Sequence, residues 1–195
     1  MTYEPLTIRP STTADLVAIT DIYAHAVQHA TGTFETGPPG PAEMASRRDE
    51  VLAQGWPWLV AQAGPRVLGF AYARRFRPRH AYRFCLEDSI YLHHQARGRG
   101  AGRVLLAELL ARCEALGARQ MLAVIGDSAN TASISLHRAL GFYDAGVLRA
   151  AGRKFDRWLD VVLMQRALGC GAASDPGDCS FSRLGDLPCP TFVTS

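Results

Sequence analysis

Gln95-Ala96-Arg97-Gly98-Arg99-Gly100-Ala101-Gly102 joins an apolar run, Ser89-Ile90-Tyr91-Leu92, to a leucine-rich run that starts at Val104. Three glycines at alternate positions let the backbone turn sharply and approach a ligand with no Cβ in the way. A helix that begins there presents unpaired N–H groups and the positive end of its dipole, which suit a phosphate. Arg97, Arg99 and Arg103 add cationic charge around the same turn. The chemistry is pyrophosphate binding. A Walker-type loop would need a lysine to reach the outer phosphates, and the chain's only lysine is Lys154. A Rossmann fingerprint would need a third glycine where Arg103 stands, and a place after the first strand of a βαβ unit.

A second run follows at Asn130-Thr131-Ala132-Ser133-Ile134-Ser135-Leu136-His137-Arg138-Ala139-Leu140-Gly141-Phe142. An amphipathic helix stopped by Gly141 accounts for its apolar positions, but not for Asn130 and His137 at this spacing. Gln95-x-x-Gly98-x-Gly100 resembles the acetyl-CoA pyrophosphate loop of the GCN5-related N-acetyltransferases. The Asn130–Phe142 run resembles the segment of that family in which an asparagine approaches the pantetheine arm. Tyr82 to Leu92, Pro57-Trp58-Leu59-Val60-Ala61, Gly69-Phe70-Ala71-Tyr72-Ala73 and Gly152-Arg153-Lys154-Phe155-Asp156-Arg157-Trp158-Leu159-Asp160 are similar to the phosphinothricin and methionine-sulfoximine branch. The resemblance spans Thr7 to Leu168. It departs at Arg77-Pro78-Arg79-His80, on the acceptor side.

The resemblance implies the roles. Acetyl-CoA is the acetyl donor, held by the backbone of Ile90, Tyr91 and Leu92, by Gln95, Gly98, Arg99, Gly100, Ala101, Gly102 and Arg103, and by Asn130. An ammonium cannot attack a thioester, so a base must first take its proton. Glu87 is that candidate, since the family's strand brings this residue to the acceptor pocket. Strand alternation turns Asp88 to the opposite face. The thioester oxygen gains negative charge and needs fixed donors, which the Ile90–Leu92 amides supply. His137 stands where many relatives carry tyrosine, and fits general acid or shared acid–base work. Arg77, Pro78, Arg79, Glu87, Asp88 and Ser89 form the acceptor side, where arginine grips a carboxylate or phosphinate with two parallel bonds. Cys85 and Cys113 have no adjacent histidine or helix N-terminus to activate them, so direct transfer is expected over an acyl-cysteine. The expected acceptor is the α-amine of a small amino-acid analogue such as phosphinothricin, methionine sulfoximine or methionine sulfone. Thr33-Phe34-Glu35 resembles the lid of that small-molecule branch. Two alternatives stay open: a peptide N-terminal acetyltransferase, and a CoA-binding regulatory module in which Glu87 and His137 are idle. The resemblance also implies a homodimer.

The elements that must position these residues read as follows. A short strand ends at Pro10, and a helix capped by Thr13 or Asp15 runs to about Gln28 with Leu16, Ile19, Ile22, Tyr23 and Ala26 on one face. Thr31 to Pro41 is a Gly- and Pro-rich loop, and Ala42 to Gln54 has helical character. Trp58–Ala61 and Val67–Ala73 form strands about the Gly64-Pro65 turn. Phe84–Leu92 is a strand, the glycine turn opens a helix ending near Gly117, and Gln120–Ile125 is a buried strand. Asn130–Leu140 is a short helix, with strands at Phe142–Leu148 and Trp158–Gln165. This is an α/β order with a mixed sheet, and the resemblance implies that the sheet is mostly antiparallel and flanked by helices. The resemblance places acetyl-CoA at its splayed central strands. Residues 1–168 form the expected domain, and 169–195 reads as a mobile tail.

At 195 residues and 48% hydrophobic content the chain can bury one core. A net charge of +3, spread along the sequence, gives no footprint for nucleic acid. No apolar run reaches membrane-spanning length, and the N-terminal residues lack the apolar core of a secretory signal. Cys85, Cys113, Cys170, Cys179 and Cys189 are odd in number and show no metal-ligand spacing, so neither a disulfide framework nor a metal site is expected. A soluble cytoplasmic enzyme is the expectation.

Overall fold

The computed structural model describes residues 4–176. A seven-stranded sheet runs in the order β1-β2-β3-β4-β5-β7-β6. Its strands are β1 (Leu6–Pro10), β2 (Trp58–Ala63), β3 (Arg66–Arg75), β4 (Cys85–Leu92), β5 (Gln120–Gly126), β6 (Tyr143–Lys154) and β7 (Arg157–Ala167). Every neighbouring pair is antiparallel except β4–β5, which is parallel. The α-helices among the described residues are α1 (Leu16–His29), α2 (Pro41–Ala53), α3 (Ala101–Ala115) and α4 (Thr131–Ala139).

Alternation along the strands builds two cores. Leu59, Ala61, Ala71, Ala73 and Leu86 turn to one face and meet the leucines of α3. Trp58, Val60 and Phe70 turn to the other and meet Ile19, Ile22, Tyr23 and Val27 of α1 and Met44 and Val51 of α2. The alanines opposite α3 let its large side chains sit close to the sheet, an interdigitation of small against large that gives native packing density. On the other face Trp58 stacks on Tyr72 at 4.1 Å and on Phe70 at 5.8 Å.

The helix stops follow their glycines. Gly117 (φ 87°) and Gly141 (φ 84°) adopt the left-handed conformation that ends α3 and α4. The closing hairpin is longer than the sequence suggests. β6 runs past Leu148 to Lys154, with an irregularity between Leu148 and Gly152, and β7 starts at Arg157. Its turn is made by Phe155 and Asp156, both at positive φ. That is the geometry of a primed hairpin turn without its usual Asn-Gly signature, and the missing signature hid it. The start of the expected tail is anchored in part. Arg119 donates to the Asp175 carbonyl at 3.0 Å and to Ser174 Oγ at 3.3 Å. The remainder of the tail, with Cys179 and Cys189, lies outside the described residues. Among the described residues no helix is long and apolar enough to cross a membrane.

The loop Ala30–Glu35 lies across the end of the sheet, and two glycines make room for it. A Cβ on Gly126 would overlap the Thr31 carbonyl oxygen, and one on Gly152 would overlap the Phe34 ring. Gly126→Ala is therefore expected to destabilise the protein by about 1–3 kcal/mol, because backbone on both sides must give. Urea unfolding measures this, and an unchanged midpoint would mean the loop does not bear on β5.

Candidate active site

The β4–β5 ladder is short. It pairs Cys85 with Gln120 and ends at Asp88 with Ala123, although β4 continues to Leu92 and β5 to Gly126. Beyond that rung β5 keeps its bonds to β7 and β4 keeps its bonds to β3. The edge of Ser89–Leu92 that faces β5 is left open, and backbone donors and acceptors there await a partner. This is the splay expected between the central strands.

A cavity of about 1220 Å³ follows the opening. Glu87, Asp88, Ser89, Ile90, Tyr91 and Leu92 of β4 line it, together with Gly98, Gly100, Gly102 and Arg103 at the start of α3. Asn130 at the cap of α4, His137 within it and the lid residues Thr31–Glu35 close it from other sides. Gly98 (φ 73°) and Gly100 (φ 82°) both need the left-handed region, and Gly100 caps α3. The first amides of α3 therefore face the turn, which fits a pyrophosphate. Space for a Cβ is open at Gly98 and Gly100, whereas one on Gly102 would lie 3.0 Å from the Leu92 side chain. Gln95, Arg99 and Ala101 do not line the cavity. Gln95 Oε1 accepts instead from Arg66 at 2.7 Å. Asn130 Oδ1 caps α4 by accepting from the Ser133 amide at 3.3 Å, and its side-chain nitrogen lies beside Gly32 of the lid.

Glu87 has a partner that sequence spacing could not reveal. In the β3–β4 register Arg74 stands opposite Glu87, and Arg74 Nη2 donates to Glu87 Oε1 at 3.0 Å. Burial would lower the Arg74 pKa, but the Glu87 charge and this hydrogen bond raise it overall. Glu87 Oε2 accepts no hydrogen bond from a described residue. Arg77 and Pro78 do not enter the main cavity. They line a shallower recess of about 480 Å³ that meets it across Arg74 and Glu87, which line both. The Arg77 guanidinium lies over the Phe76 ring, 4.9 Å from its centre. Arg79 lines neither space and precedes a short 3-10 turn at His80–Tyr82.

Asp88 turns to the face opposite Glu87, as alternation requires, and there it meets His137. His137 Nε2 lies 3.1 Å from Asp88 Oδ2, and Nδ1 lies 2.8 Å from the Ser133 carbonyl oxygen. Both side chains are 2% exposed. Both ring nitrogens thus face acceptors, the arrangement of a doubly protonated imidazolium. Burial acts to lower the His137 pKa, but the Asp88 hydrogen bond and charge, with the Ser133 carbonyl, raise it. Asp88 lines the cavity with Glu87 and Ser89, and its Oδ2 is engaged by His137 on the opposite face of the strand. A proton on either His137 nitrogen would be engaged by one of these acceptors. Burial raises the thiol pKa of Cys85 and, far more, of Cys113, which disfavours the thiolate at both.

The lid is held by polar groups that sequence reading did not single out. Lys154 is buried, and its ammonium donates to the Ala30 carbonyl at 2.9 Å and to the Thr33 carbonyl at 2.8 Å. Burial lowers its pKa, against the opposing charge of Glu35. Tyr23 Oη donates to Glu35 Oε1 at 2.8 Å and shares a hydrogen bond with Thr33 Oγ1 at 3.1 Å. Arg47 donates to the same Glu35 oxygen at 2.7 Å.

The Asp88–His137 pair sets a pH dependence. A histidine whose pKa is raised in the folded state stabilises fully below its unfolded value, near 6.5, and loses that stabilisation as pH rises through the folded value. Asp88→Asn should cost about 3–5 kcal/mol at acid to neutral pH, where it leaves a buried imidazolium unpaired. The difference should shrink as pH rises above the unfolded value and through the raised His137 pKa. Thermal unfolding of both proteins across pH measures it, and a pH-independent difference would show that the pair carries no net charge coupling.

Residues 21–142 match the acetyltransferase (GNAT) family model. The chain is 52% identical over 170 residues to the phosphinothricin N-acetyltransferase of Alcaligenes faecalis, covering 87% of this chain and 86% of that one. It is 41% identical over 159 residues to the L-methionine sulfoximine/L-methionine sulfone acetyltransferase of Pseudomonas aeruginosa, covering 81% and 92%. The crystal structure of a phosphinothricin acetyltransferase from Sinorhizobium meliloti in complex with AcCoA superposes with a TM-score of 0.86 at 50% identity, over 89% of this chain and 94% of that one. A mixed sheet splayed at its one parallel junction, a glycine turn at the head of α3 and these matches agree. The chain belongs to the acetyltransferase (GNAT) family.

Proposed function

We propose that the chain transfers acetyl from acetyl-CoA directly to the α-amine of a small amino-acid analogue of the phosphinothricin, methionine sulfoximine or methionine sulfone kind. The observation that carries this reading is Glu87, held in the cavity wall by Arg74 with Oε2 unpartnered, one rung before β4 loses contact with β5. When bound, acetyl-CoA supplies an acyl group activated as a thioester. In this reading the turn at Gly98–Arg103 takes the pyrophosphate, and the open edge of Ile90–Leu92 takes the acyl-bearing arm. Glu87 accepts the proton that the acceptor ammonium must lose. Arg74 fixes the carboxylate in place, and the adjoining recess offers Arg77 for the acid head of the acceptor. Binding energy spent there orients the amine. The role assigned to His137 is that of a charged partner to Asp88 at the root of the splay, rather than a proton donor to the departing thiol.

The test is acetyl-CoA consumption with the three analogues and an N-terminal peptide as acceptors, in the wild type and Glu87→Gln. The wild type should prefer an analogue, and Glu87→Gln should lower kcat/KM by about 10²–10⁴-fold with CoA affinity nearly unchanged. A peptide accepted in place of all three analogues would sink the small-molecule reading. Full activity in Glu87→Gln would remove the base.

We also propose a homodimer through the exposed face of the β6–β7 hairpin. β6 is an edge strand, and Tyr143, Val147, Leu148, Phe155 and Trp158 are exposed along it and its partner. An unpaired edge with an apolar surface of this kind marks an association site. Sedimentation should give a dimer for the wild type and a monomer for a Leu148→Glu/Trp158→Glu variant, and a monomeric wild type would end the proposal.

A further inference from the structure

Four histidines gather where α1 meets the turn after β4. His25 and His29 lie one helical turn apart on α1, with ring centres 4.7 Å apart. His25 stacks on His94 at 4.5 Å with 12° between the planes, and His94 stacks on His93 at 4.3 Å. Arg66, the first residue of β3, brings Nη2 to 3.4 Å from His93 Nδ1. Arg97 follows three residues after His94, and its charge acts on His25. His29 and Arg97 also line the cavity beside Gly98 and Gly100, so the cluster extends the glycine turn outward.

Stacked rings lay their nitrogens side by side rather than toward a common point. Among the described residues no group of three His, Cys, Asp or Glu is set to hold a metal. The charges acting on these rings are cationic: those of His94, His29 and Arg97 on His25, and those of Arg66, His94 and His25 on His93. Asp21, one turn before His25 on α1, is exposed. Burial and these neighbours lower the pKa of His25 and His93. A patch of four imidazoles and two guanidiniums is thus short of negative charge, and it opens onto the turn that suits a pyrophosphate.

We propose that His25, His29, His93 and His94, with Arg66 and Arg97, form a proton-linked phosphate site for the nucleotide end of CoA. The inference rests on acetyl-CoA occupying the adjoining turn. An arriving phosphate favours the charged form of an imidazole whose free nitrogen it meets, so binding draws protons from solution. Affinity then rises as pH falls through the interval between the free and liganded pKa values. The arginines stay charged throughout and add no pH dependence. Two phosphates of the ligand share this chemistry, the 3′-phosphate and the pyrophosphate.

The experiment is calorimetric titration of the full chain with CoA and with dephospho-CoA, which lacks the 3′-phosphate, in buffers of different ionisation enthalpy. Working between pH about 7 and about 8.5 stays above the ligand's own second phosphate ionisation, near 6. CoA should bind with net proton uptake and about twofold more tightly at the lower pH, as a rise of about one pKa unit in one imidazole that starts below the ordinary histidine value gives over this window. His94→Gln and His29→Gln replace exposed residues. Each should still bind CoA, with less proton uptake and a flatter pH dependence. Uptake lost with dephospho-CoA assigns the site to the 3′-phosphate, and uptake retained assigns it to the pyrophosphate. CoA binding without proton uptake, or with uptake unchanged in both variants, overturns the proposal and leaves the reading of the turn standing. A failure of CoA to bind at all overturns both.

Discussion

The parallel pairing of β4 with β5 stops at Asp88 and Ala123 while both strands run on. The rest of the site is arranged around that interruption. An unpaired strand edge inside a protein would ordinarily be costly, because backbone groups shut away from water must find partners. Here it borders a cavity, so the groups can be solvated or met by a ligand. The last two rungs carry the two residues that matter most, on opposite faces. Glu87 points to the cavity wall and is steadied by Arg74, while Asp88 points beneath the sheet and is steadied by His137 of α4. One interaction orients the chemistry. The other fastens α4 to the point where the strands part.

The opposite side of the cavity depends on a different kind of contact. Loop Ala30–Glu35 has little regular structure of its own, and its carbonyls would be left unpaired against the sheet. Lys154, reaching from the far hairpin, answers two of them. Gly126 and Gly152 supply the space in which the loop can lie, and Tyr23, Glu35 and Arg47 extend the hydrogen bonding toward α1 and α2. The lid is therefore tied to the body of the protein by buried polar contacts that reach across more than a hundred residues of sequence.

The parts legible in the sequence were those governed by local rules. Glycines at Gly98 and Gly100 marked a backbone that must turn left-handed at a helix start, and the order of periodic segments gave the mixed sheet. Alternation correctly separated Glu87 from Asp88. What lay beyond reach was set by register and by long-range packing. Arg74 meets Glu87 only because the β3–β4 hairpin aligns them. Asp88 meets His137 only because α4 folds beneath the sheet, 49 residues away. The basic run at Arg77–Arg79 was visible as charge, but its setting beside the main cavity rather than within it follows from the path of the loop. The hairpin at Phe155–Asp156 was missed because its left-handed residues are not the types that announce such a turn.

Lys154 is the only lysine in the chain, and its ammonium is enclosed between two carbonyl oxygens and the face of Phe155. The fixed positive charge at the surface of the protein is instead carried by guanidinium, which stays protonated and is a poor nucleophile toward a thioester. A protein whose task is to move acetyl onto amines thus presents no accessible side-chain amine of its own among the described residues. Neighbouring copies are thereby kept from serving as decoy acceptors through lysine.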